Sequence, residues 1–541
     1  MESDKEIVAA HSDSSRKEKR QRQKSLILEM FFEFTSNTTL HGFRYMTQRG
    51  SHPVEKIFWI ITFTASVLMC AYAINNVWIK WQTSPVIVTL SERLVSVDEV
   101  PFPSITICPQ KKNVPSIYNY YEVQTRVSRE EVTPDDQIEL EKFQDVSLVC
   151  NVEHFHHKDF VYFNRFYSNV TLVNRLLEVA PDLKDFTSMC RWHNKELSCK
   201  SLFHRVLTSQ GVCYTMNTLA ASEIFRTENI HQDFEYLTAT KKSQGYVKDV
   251  GYNSLDVDTY PRRGRKNGVE PDLIVILKEN LMNRDKLCNV LKDGFKLYLY
   301  HPADLPQSLL HHYIALPGKT SSISLRFEIQ STSTKLNKPV FLEQRQCFFP
   351  HERQLRYFQS YSPNNCRLEC LTNYTFKKCG CVGFYMPFHI SNRICTMEKH
   401  DCMDAAIEEL ATARVSDSSL TEIKACNCLP SCNMVDYNAG MMMSTFHLEK
   451  YWKNYIQTYG INNTISEKLM KNNSYSKIEV YYTKPRYMSF KRSELFGTTD
   501  FLANCGGLLG LFLGFSFLSL VEIIYFLTLR IWCALARDTR E

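Results

Sequence analysis

The sequence predicts a membrane protein in which two transmembrane helices flank a large disulfide-rich α+β extracellular domain with a β-sheet core and a helical rod. Three observations predict it. Two long apolar stretches stand near the ends of a 541-residue chain that is mildly polar on average. Sixteen of the 19 cysteines fall between them. That same intervening segment carries the period-two alternation of half-buried strands.

The spans come first. Ile57 to Ile79 holds 23 uncharged residues between Lys56 and Lys80, and Phe501 to Leu529 holds 29 residues whose one charge is Glu522. About 20 apolar residues cross a bilayer core, so both qualify. The first starts too late, runs too long and lacks the small-residue cleavage site of a signal peptide. Arg16 to Lys24 (RKEKRQRQK), Arg44 and Arg49 precede it, and Arg530, Arg537 and Arg540 follow the second. Positive flanks stay cytoplasmic, which puts both termini inside a multi-pass plasma-membrane protein in contact with lipid. The expected plan is a cytoplasmic segment 1–56, a span 57–79, an extracellular domain 80–499, a span 500–529 and a cytoplasmic tail 530–541. A net charge of +6 is too small to argue for a nucleic-acid partner.

An even, dense set of sixteen cysteines implies an oxidised compartment and up to eight disulfides. Cys70 and Cys505 lie within spans and Cys533 in the tail. Asn169, Asn373, Asn462 and Asn472 each begin an N-x-S/T sequon on the same outer side, as glycosylation requires. A fifth, at Asn37, would sit in the cytosol unused.

Within the outer segment, DDQIELEKFQ (Asp135 to Gln144) and the stretch around CRLECLTNY (Cys366 to Tyr374) suit short helices packed on a sheet. GFKLYLY (Gly294 to Tyr300), SISLRFEIQ (Ser322 to Gln330) and KIEVYY (Lys477 to Tyr482) read as strands, the second with Ile323, Leu325, Phe327 and Ile329 on one face. Cys366 and Cys370, four apart, share a helix face. Cys426 and Cys428, two apart, share one face of a strand. Nested bonds from Cys370 to Cys426 and Cys366 to Cys428, closed by Cys347 to Cys432, would stitch helix to strand as a stiff rod. Each disulfide contributes about 2–4 kcal/mol.

Metal and enzyme readings fare worse. The CGC at 379–381 and CNC at 426–428 lack zinc-site spacing and lie in an oxidising compartment. Glu153, His154, His156 and His157 of VEHFHH suit a metal or pH sensor, but solvated loop histidines are the plainer reading. No cofactor is implied. The chain has no phosphate-binding glycine loop and no H-E-x-x-H, and Gly514-Phe515-Ser516-Phe517-Leu518 fails the nucleophile-elbow pattern on its last residue.

The second span is more than an anchor. Gly506, Gly510 and Gly514, at four-residue spacing, would share a helix face and let helices approach closely. Glu522 costs about 2.5–3.5 kcal/mol at mid-bilayer unless it faces protein or water. At 1.5 Å per residue the run would stretch about 44 Å, longer than the roughly 30 Å core. Tilt absorbs such excess, or a break at Gly-Phe-Ser, where backbone carbonyls would line a water-filled path. An ion pore and a close-packed oligomeric receptor both fit these facts.

From about Phe32 to Phe526 the chain resembles the epithelial sodium channel/degenerin family, most of all its insect pickpocket-type branch. The resemblance rests on FTSNTTLHGFRYM, FPSITIC ending at Cys108, GVCYTMN around Cys213 and QRQC at Cys347. It continues through YSPNNCRLEC, CGC, CNCLPSC and GLFLGFSFLSLVE. It implies a homo- or hetero-trimeric, sodium-preferring, amiloride-blocked cation channel with a hand-shaped outer domain and a thumb-like rod. The G-x-S selectivity motif falls on Gly514, Phe515 and Ser516, the His-Gly gating pair on His41 and Gly42, and the degenerin position on Ala503. The implied disulfides are Cys108 to Cys213, Cys190 to Cys199, Cys347 to Cys432, Cys366 to Cys428, Cys370 to Cys426, Cys379 to Cys402 and Cys381 to Cys395. Cys150 and Cys288 then pair by elimination. Two departures stand out: a bulky Phe515 where many members have a small residue, and Asn504 where acid-gated relatives often carry aspartate. The resulting expectation is a Na+ channel subunit with Gly514 and Ser516 at the filter and Glu522 as negative charge near the inner side. The competing one is a non-conducting surface receptor or auxiliary subunit.

Overall fold

The structure, a computed structural model, describes residues 29–533 apart from 49, 84–85, 130, 132–135, 151–166, 232–234, 254–258, 266, 269, 290–292, 307–310, 339–340, 390–392, 413–425 and 460–471. VEHFHH and Asn462 lie outside the described residues. The chain divides into two compact units, residues 88–493 and residues 1–87 with 494–541.

Alternation builds the larger unit. Strand Lys319–Thr332 turns Ile323, Leu325 and Phe327 into the core, and Asn473–Tyr482 does the same with Ile478, Val480 and Tyr482. The first is the hub of an eight-stranded sheet. One edge runs antiparallel to Met434–Thr445, and the other pairs in parallel first with Asn473–Tyr482 and then with Arg486–Glu494. A second, five-stranded sheet places Ser104–Pro109 and Gly211–Met216 side by side at its centre, every residue of both buried. Both faces of these strands are covered, so their polar residues Ser104, Thr106 and Thr215 are buried along with the apolar ones, and the Ser104 and Thr215 hydroxyls lie 2.9 Å apart.

Helix Pro363–Cys379 starts where its sequence says it should. The Ser362 hydroxyl accepts from the Asn365 N–H at 3.1 Å, Pro363 occupies the first turn, and Gly380 ends the helix at φ 73°. Helix His400–Thr412 packs beside it, with Lys378 on Glu409 at 2.6 Å and Cys379 bonded to Cys402. The strand expected at Cys426 and Cys428 is absent. Residues 426–430 have no regular structure, and Asn427 takes φ 35°, outside strand geometry. Disulfides from Cys426 to Cys370 and from Cys428 to Cys366 hold this loop to the helix. Its partner strand is replaced by two backbone bonds, Phe348 N–H to Pro430 O and Cys432 N–H to Phe348 O, each 2.9 Å.

The smaller unit is helical. Helix Pro53–Thr83 spans 31 residues, long and apolar enough to cross a membrane, and Trp81 stacks on Phe501 at 4.9 Å. The second apolar run is two helices, Thr498–Leu513 and Phe517–Cys533, bent by 70°. Gly514 therefore does not share a helix face with Gly506 and Gly510. It ends the first helix in the left-handed conformation at φ 66°, which a β-carbon disfavours.

Candidate ion-conduction site

The break at Gly514-Phe515-Ser516 is satisfied on both sides. Gly514 N–H donates to Gly510 O at 2.9 Å and Phe515 N–H to Leu509 O at 3.2 Å, closing the first helix. Ser516 then caps the second. Its hydroxyl accepts from Ser519 N–H at 3.2 Å while Ser519 Oγ accepts from Ser516 N–H at 3.1 Å, a reciprocal capping box. The carbonyl oxygens of Gly514 and Phe515 accept no hydrogen bond among the described residues.

The segment before the first span packs into this break. Residues 29–37 are helical, and Phe34 meets Phe526 at 5.2 Å. The chain then turns through Thr38–Gly42. Thr39 Oγ1 lies 2.8 Å from Ser519 Oγ and donates to Glu522 Oε2 at 3.0 Å, while Thr39 N–H reaches the same carboxylate oxygen at 3.4 Å. His41 N–H donates to Leu513 O at 3.1 Å, so an outside segment satisfies a helix-end carbonyl. The imidazole lies against Gly514, where a β-carbon would collide with His41 Nδ1. Gly42, at φ 84°, turns the chain into helix Phe43–Thr47 beside Trp59 and Phe63.

The structure thus brings His41, Gly514, Ser516 and Glu522 into one cluster. Ala503, Asn504 and Gly506 stand apart from it on the exposed surface of Thr498–Leu513, where a β-carbon at Gly506 would meet no atom within 4 Å, while the exposed Gly510 borders the break, where its β-carbon would lie 3.9 Å from Phe515 O. Asn504 Nδ2 donates to Asp500 O at 2.7 Å. Sequence reasoning missed Thr39, Ser519 and the half-exposed Arg530–Glu33 pair at 2.6 Å. The S-x-x-S spacing of 516 and 519 was the one available signal.

In the larger unit, eight disulfides are present: Cys108–Cys213, Cys150–Cys288, Cys190–Cys199, Cys347–Cys432, Cys366–Cys428, Cys370–Cys426, Cys379–Cys402 and Cys381–Cys395. Cys70, Cys505 and Cys533 are free. Asn169 caps helix Val170–Val179, and Asn373 is exposed on helix Pro363–Cys379. Asn472 is half-buried, its carbonyl accepting from Leu281 N–H at 2.9 Å. Among the described residues, no three His, Cys, Asp or Glu side chains converge as a metal site.

Residues 34–526 match the family model for amiloride-sensitive sodium channels. Pickpocket protein 28 of Drosophila melanogaster is 27% identical over 521 residues, covering 94% of this chain and 79% of the relative. The sodium channel protein Nach of the same organism is 22% identical over 505 residues, 91% of this chain and 86% of its own length. Human acid-sensing ion channel 2 is 22% identical over 514 residues, 91% and 84%. The chain therefore belongs to the amiloride-sensitive sodium channel, or epithelial sodium channel/degenerin, family: it is a membrane cation-channel subunit with at least one spanning helix, and not an enzyme.

Proposed function

We propose that the chain is one subunit of a trimeric, sodium-preferring, amiloride-sensitive channel that passes Na+ down its gradient across the plasma membrane. Two spans cross the bilayer and both termini are cytoplasmic. Gly514 to Ser516 form the filter, His41 and Gly42 act on it from the inner side, and Ala503 sits at the gate. The observation that carries this reading is the pair of unbonded carbonyls at Gly514 and Phe515. Backbone polar groups at membrane depth need protein, water or an ion, and among the described residues of the chain these two have no protein partner. The uncovered glycines at 506 and 510 suit close approach by a neighbouring copy.

The test is whole-cell current from the chain expressed alone, wild type beside Ala503→Val, in sodium and then potassium, with and without amiloride. A constitutive, sodium-favouring, amiloride-blocked current in the variant is the expected result. Surface-labelled protein that carries no current in either form, alone or with related subunits, would overturn the reading in favour of a non-conducting receptor.

A further inference from the structure

The larger unit contains a cavity of about 900 Å³, within the range of small-molecule sites, bounded by strands Lys319–Thr332 and Met434–Thr445 and the short hairpin of Tyr246–Val247 with Gly251–Tyr252. Tyr246, Tyr300, Tyr313 and Tyr437 line it. The Tyr313 hydroxyl donates to Ala439 O and that of Tyr437 to Pro101 O, each at 2.7 Å, so these phenols are fixed and satisfied.

The charges of the wall are unevenly used. Four carboxylates, Glu99, Asp249, Asp304 and Asp436, stand against two cations, Lys248 and Arg367. Both cations have hydrogen-bond partners elsewhere, Lys248 on Tyr361 O and Ser360 Oγ and Arg367 on Asn364 Oδ1, while Lys248 also feels the charges of Asp304 and Asp249 without bonding to either. Glu99 is taken by Arg93. His301 adds no charge at neutral pH, because burial pushes it down to about 4. Its Nδ1 accepts from Ala303 N–H, and its Nε2 lies 3.0 Å from the Tyr246 hydroxyl.

Asp304 is the anomaly. It is 5% exposed, yet among the described residues it forms no ion pair and its one side-chain hydrogen-bond partner is Asn364 Nδ2, which donates to Oδ2 at 2.9 Å. Oδ1 has no partner among the described residues. A buried carboxylate oxygen left unbonded is costly, and the missing group is a donor, best a cation. Burial also holds Asp249 above the usual carboxylate range, against the opposing pull of Lys248.

We propose that this cavity binds a small protonated amine with an aromatic or apolar body, its ammonium held by Asp304 and Asp249 and its body packed among the tyrosines. Carboxylates supply the charge contact, and aromatic rings add cation–π attraction and apolar area. An anion of the same skeleton would meet uncompensated carboxylates.

The test is calorimetric titration of the purified full-length protein with phenethylamine, 2-phenylethanol and phenylacetate, which share a skeleton and differ in charge. The amine should bind saturably and about tenfold or more tighter than the alcohol, with no binding by the anion. Asp304→Asn should weaken the amine about tenfold or more. Because Asp304 also anchors Asn364, Asp249→Asn serves as the second variant. It should weaken amine binding about threefold or more with an unchanged melting midpoint. Alcohol binding as tightly as amine, no amine binding up to about 10 mM, or wild-type affinity in both variants would overturn the proposal. Binding is read without current, so failure of the pore reading leaves this result interpretable.

Discussion

In residues 88–493, eight disulfides and a continuous apolar core hold the fold, whereas among the described residues of 1–87 and 494–541 just three side chains, Thr35, Cys70 and Ser519, are buried. The first unit is specified within one chain, by burial and by cross-links. The second presents its apolar surface outward, and its particular geometry rests on a few polar contacts around one helix break. Substitutions in the first should therefore alter folding and delivery. Those in the second should alter function in a protein that still reaches the membrane.

The largest expected effect lies in the outer unit. Cys108 and Cys213 are both fully buried and join the two central strands of the five-stranded sheet, closing 105 residues of sequence. Removing a native disulfide from an extracellular domain typically costs about 2–5 kcal/mol. The paired change Cys108→Ser with Cys213→Ser should cut surface-labelled protein about tenfold or more. Normal surface levels would break the comparison at its strongest point.

Gly514→Ala inverts that pattern. The left-handed backbone at 514 costs alanine about 1–2 kcal/mol, and its β-carbon must also displace His41. Surface labelling should remain near normal while current falls about tenfold or more. Adding His41→Gly removes the collision but not the backbone strain, so partial recovery is expected. No recovery would assign the whole loss to the backbone. A Gly514→Ala protein that conducts normally would sink the proposed role of the break.

Thr39→Val removes the hydroxyl that faces Ser519 Oγ and Glu522 while keeping its volume. Loss of a hydrogen bond to a charged group is worth about 1.5–3 kcal/mol. Open probability should shift by about tenfold or more with reversal potential unchanged, and Thr39→Ser should behave as wild type. A changed reversal potential would instead place Thr39 on the ion path.

How much of this was legible follows the same division. Strands such as Ser322–Gln330 were readable because burial imposes a local period of two. The break at Gly514 was one of two readings of the overlong span, with tilt the other, and the periodic glycines pointed instead to one continuous face; the closing glycine and the capping serine decide it. Cys426 and Cys428 misled, because two-residue spacing fixes a shared face only in extended backbone, and Asn427 departs from it. The contacts of Thr39 with Ser519 and Glu522 join residues 480 and 483 positions apart, a separation at which no local pattern carries information.

A smaller effect tests the outer unit with protons. Burial lowers His301 from the ordinary histidine value of 6.5 to about 4, with Asp304 opposing and Lys248 assisting. As pH falls, the unfolded chain takes up its proton first, so His301 contributes stability above about 6.5 that is lost as pH falls through 4. The melting midpoint should drop across that window, and His301→Gln should flatten the slope. An unchanged slope would mean that the imidazole is solvated in both states.

The smallest effect is expected at Arg530 and Glu33, whose side chains are 36% and 39% exposed. Such pairs contribute little, because water screens both partners and two long side chains lose freedom in meeting. Glu33→Gln should therefore change open probability by no more than about fivefold, and less at high salt. A double-mutant cycle with Arg530→Gln isolates the pair from its surroundings. A large coupling, insensitive to salt, would show that the pair is shielded in the assembled membrane protein. The sparse burial of this unit would then be a property of one chain considered alone, with neighbouring copies or lipid supplying the missing enclosure.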